Sequence, residues 1–414
     1  MNFSSLGLDQ RLIDALSAKG YEKPTPIQEK AIPTILKNHD LLAAAQTGTG
    51  KTAAFTLPIL EKLLQRKRGP HGDPAVLIIV PTRELAAQVS DSIKTYGAKT
   101  HITQAVLFGG VGLRPQIDAL KRKPDIIVAT PGRLLDLHAQ GEIQLRSIEI
   151  LVLDEADRML DMGFIRDIRR IITLVPKVRQ NLLFSATFSK DIRNLASGIL
   201  KNPESIEVAP RNAPAERVEQ QAYMIPKEKK KSLLIHLMTT GLWGQTLVFT
   251  RTKHGANRLA QQLEREGFLV GVIHGNKSQT ARMKALQDFK ENRIQVLVAT
   301  DIAARGLDIP ELPHVVNYEL PEVPADYVHR IGRTGRAGAE GEAISLVSGD
   351  EASRLQDIEK LLGKKLIRGQ APEGLEISEV VPDLPRKPRP GPRAPRRQGQ
   401  PQGHAGRRKP NAKG

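Results

Sequence analysis

The sequence lacks several features that would indicate other classes of protein. Its 414 residues include no cysteine, which excludes disulfide bonds, thiol catalysis and cysteine-ligated zinc or iron–sulfur sites and fits a reducing compartment. Aromatic residues make up 4% of the chain, too few for a protein that holds a ligand on a series of stacking platforms. The longest apolar run, residues 75–80, is far shorter than the ~20 residues that span a bilayer, and the N-terminus lacks a basic start followed by an apolar stretch. We therefore expect a soluble, cytoplasmic protein without a membrane segment.

Positive charge is concentrated at the C-terminus. The chain carries 62 Lys and Arg against 45 Asp and Glu, and the net charge of +17 indicates a polyanionic partner, nucleic acid before a membrane surface. Residues 382–414 hold ten Lys/Arg, one Asp, eight Pro and five Gly, which leaves +8 of the +17 for the other 381 residues. Because such a segment buries too little apolar surface to offset its ordering entropy, we predict a disordered tail. We favour a flexible nucleic-acid-binding arm; the alternative is a tail that only aids solubility.

Short β-branched runs alternate with amphipathic helical patterns before the tail. This alternation predicts an α/β fold with parallel sheets covered by helices on both faces. The predicted helices include residues 53–64 and 255–266. The predicted strands form two series: 41–45, 76–80, 103–107, 126–129, 148–153 and 181–185, then 220–225, 246–250, 270–273, 296–300, 315–318 and 342–347.

The two series indicate a duplicated domain. Residues 82–83 (TR) recur as 250–251 at an offset of 168, and residues 127–130 (IVAT) recur as 297–300 (LVAT) at an offset of 170. Two echoes at nearly one offset favour two copies of one unit, although strings this short also coincide by chance. The stretch 202–217 is rich in Pro and charge and marks the boundary. We predict a first domain over 1–205, a linker over 206–216, a second domain over 217–370 and a tail over 371–414.

A phosphate-binding loop follows the first predicted strand. Residues 45–52 (AQTGTGKT) stand between that strand and an apolar helix, which is the context such a loop requires. Glycines let backbone N–H groups converge on phosphates, and the helix N-terminus adds its positive dipole. Lys51 is then expected to reach the β- and γ-phosphates of ATP and Thr52 to hold Mg²⁺, the alternative being a fortuitous Gly/Thr turn. The nucleotide-binding candidates are Ala45, Gln46, Thr47, Gly48, Thr49, Gly50, Lys51 and Thr52.

Two carboxylates follow a second buried strand. Residues 150–153 (ILVL) run into 154–157 (DEAD). Asp154 is expected to order Mg²⁺ and its waters, and Glu155 to orient and polarise the attacking water. The alternative is an acidic helix cap, since Asp and Glu favour helix N-termini.

The second series carries no lysine loop of its own. Its distinctive feature is residues 329–336 (HRIGRTGR), in which arginines recur at every third position and gather on one side of a helical turn. We interpret Arg333 and Arg336 as fingers that reach the γ-phosphate across an interdomain cleft. A structural arginine cluster is the alternative.

Together these motifs resemble those of the DEAD-box RNA helicases, and most closely the bacterial RhlE-like group. The resemblance covers about residues 3–368 and rests on the literal DEAD sequence at 154–157 and on the order of the other motifs. It implies two tandem RecA-like domains, ATP and Mg²⁺ as cofactors, and RNA as the partner.

The resemblance also implies further nucleotide contacts. Residues 20–28 (GYEKPTPIQ) match the family's Q motif, with Phe3 as the isolated aromatic seventeen residues before Gly20. In the family, Gln28 would read N6 and N7 of adenine and Tyr21 would stack on the base. Other matches are the second-domain nucleotide contacts Gly306 and Asp308 and the residues that couple hydrolysis to strand separation, Ser185, Thr187 and His329.

The RNA-contacting motifs of the family match equivalent loops of both domains. Hydroxyls, loop N–H groups and arginines suit phosphate oxygens, so the binding would be independent of base sequence, and the 2′-OH would distinguish RNA from DNA. The matching residues are Pro81, Thr82, Arg83, Gly110, Thr130, Gly132 and Arg133 in the first domain and Arg251, Gln279, Arg282, Thr300 and Asp301 in the second.

The expected activity is RNA-stimulated ATP hydrolysis that separates short RNA duplexes or remodels RNA–protein complexes. Two alternatives stay open: a non-hydrolysing RNA clamp or annealer that acts through the tail, and a DNA translocase. The presence of Lys51 and Glu155 disfavours the first, and the DEAD sequence with Gln28 disfavours the second. Ribosome-assembly and RNA-decay proteins are compatible partners, and the sequence leaves the RNA substrate and the oligomeric state open.

Overall fold

Two parallel β-sheets organise the chain in this computed structural model. All of the described residues belong to one compact unit, residues 1–378. The structure describes residues 2–45, 49–66, 73–186, 188–208, 218–241, 243–301, 312–335, 341–370 and 372.

The first half of the chain builds the first sheet. Its strands are β1 (Leu41–Ala44), β2 (Val76–Ile79), β3 (Gln104–Leu107), β4 (Ile126–Ala129), β5 (Ile150–Leu153), β6 (Gln180–Ser185) and β7 (Glu204–Glu207). All of the strand pairs are parallel, in the order β3-β4-β2-β5-β6-β1-β7. Its helices are α1 (Gln10–Ser17), α2 (Pro26–Leu36), α3 (Lys51–Gln65), α4 (Arg83–Tyr96), α5 (Arg114–Lys121), α6 (Pro131–Ala139), α7 (Ala156–Asp161), α8 (Ile165–Leu174) and α9 (Lys190–Ser197).

Helices cover both faces of this sheet because neighbouring residues of a strand point to opposite sides. Ile78 packs into one hydrophobic core, together with Phe55 of α3 and Phe184 of β6, whose rings lie 5.2 Å apart. Leu77 and Ile79 pack into a second core on the other face. A strand buried on both faces needs an unbroken apolar run, which is why these strands were readable in the sequence.

The second half repeats the first. Its strands are β8 (Val218–Met224), β9 (Thr246–Thr250), β10 (Val270–Ile273), β11 (Val296–Thr300), β12 (His314–Asn317), β13 (Gly341–Val347) and β14 (Ile367–Arg368). Their order, β10-β11-β9-β12-β13-β8-β14, equals that of the first sheet position by position. The helices are α10 (Lys230–Thr240), α11 (Lys253–Arg265), α12 (Gln279–Lys290), α13 (Pro324–Ile331) and α14 (Ala352–Leu362). The predicted α/β fold and its duplication are thereby confirmed.

The predicted domain boundary meets an unpredicted strand. β7 continues two residues past position 205, so the first sheet takes up residues predicted as linker. The cause is Ile206, which is buried and lies opposite Ala43 of β1 in the parallel register. Residues 209–217 and the predicted tail from 373 onward lie outside the described residues. Within the described part of the chain, no helix has the length and apolar character needed to cross a membrane.

Candidate active site

The predicted phosphate loop leads from β1 into α3, and its last glycine has a backbone that other residues adopt only under strain. Gly50 caps α3 with a φ of 89° and a ψ of 22°. A Cβ at this position would lie 2.3 Å from Nε2 of Gln28. Both conditions require glycine. Three loop candidates, Gln46, Thr47 and Gly48, lie outside the described residues.

Lys51, the first residue of α3, presents a buried ammonium group. Its side chain is 7% exposed, and its Nζ has no hydrogen-bond partner among the described residues. It lines a cavity of about 320 Å³ together with Thr52, Asp154 and Glu155. An unpaired buried cation is costly, so the cavity favours an anionic ligand. The residues therefore fit the phosphates of a nucleotide.

The two carboxylates behind this cavity respond to it differently. Burial raises the pKa of Asp154 to about 7, against the opposing charge of Lys51. Burial also acts to raise the pKa of Glu155, but the charges of Arg158, Lys51 and Arg333 outweigh it and hold that pKa below its ordinary value. Arg158 reinforces this effect by donating a hydrogen bond from Nη1 to Oε2 of Glu155 over 3.1 Å. Glu155 is thus kept ionised at the mouth of the site.

Glu155 also has a strained backbone. Its φ of 53° and ψ of 51° put it in the left-handed region, directly before α7. A residue with a side chain adopts this conformation at a cost and keeps it only where surrounding contacts impose it. Here the N–H of Glu155 donates to Oδ1 of Asp154 over 2.9 Å, which fixes the two carboxylates relative to each other.

Asp157 connects the two carboxylates to the predicted coupling segment. Its Oδ2 accepts a hydrogen bond from the N–H of Ala186 over 2.9 Å. Ser185, the last residue of β6, is fully buried, and its carbonyl accepts from the N–H of Ala45. Thr187 lies outside the described residues. One aspartate therefore ties the end of β6 to the carboxylate site.

The predicted base-reading glutamine braces the phosphate loop. Oε1 of Gln28 accepts from the N–H of Thr25 over 2.9 Å, and its Nε2 donates to the carbonyl of Gly50 over 3.1 Å. The hydroxyl of Thr25 donates to the carbonyl of Thr49 over 2.8 Å. An amide keeps one further N–H and one lone pair after these bonds. Phe3, which is buried, and Tyr21, which is half exposed, line the same cavity.

From the second domain, the structure brings Arg333 to this site. It follows α13, is 4% exposed, and its charge helps to lower the pKa of Glu155. His329 is half-buried on α13. Arg336, Gly306 and Asp308 lie outside the described residues.

The predicted RNA contacts of the first domain gather around Arg83. Its guanidinium packs over Gly110, where a Cβ would lie 1.9 Å from Nη1. Arg133 donates from Nη2 to the carbonyl of Val111 over 3.3 Å. The remaining first-domain candidates are the buried Pro81, Thr82 as the cap of α4, Thr130 as the cap of α6, and Gly132, whose missing side chain leaves open space.

The second-domain candidates divide into two groups. Gln279 and Arg282, at the start of α12, both contact Glu84 of the first domain. Asp301, which follows Thr300 at the end of β11, is held by Arg330, whose Nε and Nη2 lie 2.5 and 2.7 Å from its two oxygens. The N–H of Arg251 donates to Glu319 over 2.8 Å.

Sequence reasoning had not assigned roles to several residues that organise these sites. Glu84 and Asp157 lie inside recognised motifs, and Arg330 lies in the arginine series, so a position-by-position examination of those motifs would have found them. Arg158 carries no comparable signal, since a single arginine in a helix is unremarkable.

Comparisons with known proteins agree with this geometry. Residues 25–195 match the family profile described as "DEAD/DEAH box helicase", and residues 229–338 match "Helicase conserved C-terminal domain". The chain is 44% identical over 370 residues to the ATP-dependent RNA helicase CshA of Listeria monocytogenes, covering 89% of this chain and 70% of that protein. It is 43% identical to the ATP-dependent RNA helicase RhlB of Pseudomonas syringae, covering 88% of this chain and 93% of that protein.

Solved structures agree on the fold. S. cerevisiae Dbp5 bound to RNA and ADP BeF3 is similar with a TM-score of 0.78 and 36% identity, over 89% of this chain and 95% of that chain. Mss116p bound to ssRNA and AMP-PNP is similar with a TM-score of 0.81 and 29% identity, over 91% and 81%.

Proposed function

This chain belongs to the DEAD-box family of ATP-dependent RNA helicases, and from that membership we propose which of its residues bind ATP and RNA. The protein is an RNA-stimulated ATPase and helicase with two tandem RecA-like domains, and it uses ATP with Mg²⁺. The predicted family, fold, activity and RNA partner are confirmed, and neither the clamp nor the DNA translocase is supported. The finer assignment to the RhlE-like group stays a prediction.

Lys51 binds the β- and γ-phosphates of ATP. Its buried, unpartnered ammonium is the single observation that carries this proposal. Thr52 and Asp154 line the same cavity and supply oxygen ligands suited to Mg²⁺, which when bound neutralises charge on the phosphates. A cation at Asp154 also offsets the burial that raises the pKa of this carboxyl.

Glu155 acts as the base toward the attacking water. A base must be ionised, and the charges of Arg158, Lys51 and Arg333 keep its pKa low despite burial. Arg333 stabilises the charge that develops at the γ-phosphate, because it reaches the carboxylate site from the second domain. Arg336 shares this role by its place in the same motif. Hydrolysis therefore needs both domains together.

Gln28 selects adenine and senses the loop at once. Its remaining N–H and lone pair suit the N7 and N6 positions of adenine, while its bond to Gly50 ties base recognition to the loop that holds the phosphates. Phe3 and Tyr21 form the apolar wall of the base site. Gly306 and Asp308 contribute from the second domain.

RNA binds across both domains through its backbone. Arg83, Arg133 and Arg282 have charges close enough to influence one another, which suits a chain of phosphates. The basic tail adds affinity without base specificity. The protein works in the cytoplasm, where ribosome-assembly or RNA-decay factors are its partners.

A comparison of ATPase rates tests this function. Wild-type protein should hydrolyse ATP slowly alone and faster with RNA, and it should respond less to DNA of the same sequence. Lys51→Ala should abolish hydrolysis under all conditions, while Lys94→Ala, at an exposed lysine of α4, should match the wild type. Hydrolysis retained by Lys51→Ala would contradict the assignment of the site.

A further inference from the structure

A single buried carboxylate of the first domain receives two side chains of the second. Glu84, in the first turn of α4, is 3% exposed. Its Oε1 lies 2.6 Å from Nη2 of Arg282 and accepts from Nε2 of Gln279 over 3.3 Å. Because the Arg282 side chain is itself only 12% exposed, this is a partly desolvated ion pair and not a surface contact.

The surroundings of Glu84 are strongly basic. Arg83 lies next to it, and the pKa of Arg83 is lowered by burial and by the positive charges of Arg282 and Arg133, despite the opposing charge of Glu84. Nε of Arg282 and Nη1 of Arg133 are buried without partners in the described residues. Without the carboxylate, like charges of the two domains would face each other across the contact.

We propose that Glu84 is a positioning residue that holds Arg282 and Gln279 against the first domain, so that donors from both domains are set for one stretch of RNA backbone. The inference rests on the proposed function, which assigns these arginines to RNA. It adds that the geometry of the RNA surface, and the closure of the domains, depend on a carboxylate that itself contacts no phosphate.

A simpler role for Glu84 predicts something different. An acidic residue in the first turn of a helix stabilises that helix through its dipole, and α4 begins at Arg83. Aspartate would serve that purpose equally well. It is one methylene shorter, however, and cannot span from α4 to Arg282 as glutamate does. Glu84→Asp therefore separates positioning across the domains from helix stabilisation.

The experiment measures domain closure and RNA dependence in the full chain. Because the chain has no cysteine, Gln140→Cys in the first domain and Glu264→Cys in the second give the only two labelling sites for energy transfer. Closure is recorded with RNA and a non-hydrolysable ATP analogue in the wild type, Glu84→Asp, Glu84→Ala and the control Asp91→Asn. Asp91 is an exposed carboxylate on the same helix. Steady-state ATPase against RNA concentration is measured in parallel, with ATP affinity as a third readout.

We expect Glu84→Asp and Glu84→Ala to raise the RNA concentration for half-maximal ATPase roughly ten- to a hundredfold, the range for a hydrogen bond to a charged group, and to lower the closed fraction. ATP affinity and Asp91→Asn should stay at wild-type values. Combining Glu84→Ala with Arg282→Ala should cost no more than Arg282→Ala alone, because the two residues act as a pair.

Wild-type closure and RNA dependence in Glu84→Asp would overturn the inference. So would an equal loss of ATP affinity, which would indicate a local defect in α4. A chain that closes on RNA in a Glu84-dependent way yet fails to hydrolyse ATP would overturn the proposed function and uphold the role of Glu84. The two failures are thereby distinguishable.

Discussion

The two domains share one strand order but differ at equivalent lysines. Lys51 begins the helix after β1, and Lys230 begins the helix after β8, the strand at the same position of the second sheet. Nζ of Lys51 has no partner among the described residues, whereas Nζ of Lys230 donates to Glu351 and to the carbonyl of Tyr318. The second domain thus neutralises with its own carboxylate the charge that the first leaves available.

The residues after the equivalent strands β5 and β12 differ in the same way. In the first domain they are Asp154 and Glu155, which face the cavity. In the second they are Tyr318 and Glu319, and Glu319 accepts from the N–H of Arg251. A cavity of about 410 Å³ lies at these strand ends too, so the scaffold offers space in both domains. Function depends on which side chains are left unpaired there, not on the fold.

The largest expected effect breaks the division of labour between the domains. Arg333→Ala should lower kcat by roughly 10³–10⁵, because the developing charge on the phosphate loses its finger, while ATP affinity stays unchanged. Steady-state ATPase at saturating RNA and a fluorescent-nucleotide titration measure both quantities. Arg293→Ala, an exposed arginine of the same domain, is the control. A kcat near the wild-type value would exclude a catalytic contribution from the second domain through this residue.

The next effect compares the equivalent glutamates. Glu155→Gln should lower kcat by about 10²–10⁴ while it retains ATP and RNA, since an amide cannot accept the proton of the attacking water. Glu319→Gln, at the equivalent position, should leave kcat at saturating RNA near wild type. Single-turnover hydrolysis and RNA-binding assays separate chemistry from affinity. A fast Glu155→Gln enzyme would show that another group is the base.

The third prediction concerns stability. Glu351→Gln should cost about 3–5 kcal/mol of unfolding free energy, because Lys230 would be left buried without its counter-charge. Glu266→Gln, which disrupts the exposed pair with Lys231, should cost about 1 kcal/mol or less. Chemical denaturation of both variants measures the difference. Equal losses would mean that the Lys230–Glu351 pair is not the internal substitute for a ligand.

The smallest predicted effect sharpens the role of Gln28. Gln28→Ala should weaken ATP binding roughly three- to tenfold, the worth of one or two neutral hydrogen bonds, and should reduce the preference for ATP over GTP. Titrations with both nucleotides measure this, with the exposed Gln140→Ala as control. If the variant loses the same affinity for ATP and GTP, Gln28 braces the loop without reading the base.

Residues close together in sequence were predictable from it, and contacts between distant segments were not. The buried strands and the loop ending at Lys51 are continuous patterns, so they could be read directly. β7 (ESIE) and β14 (IR) were missed because edge strands this short and this polar carry no apolar run. The Gln28–Gly50, Glu84–Arg282 and Lys230–Glu351 contacts were missed because only the fold brings their partners together.

The number of ATP molecules that each chain binds tests the difference between the two domains most directly. Isothermal titration of the full chain with a non-hydrolysable ATP analogue and Mg²⁺ should give one site per chain in the wild type. Lys51→Ala should bind none at the same concentrations, because the second domain has paired its own lysine. Two sites in the wild type, or one site of undiminished affinity in Lys51→Ala, would contradict the assignment of ATP to the first domain.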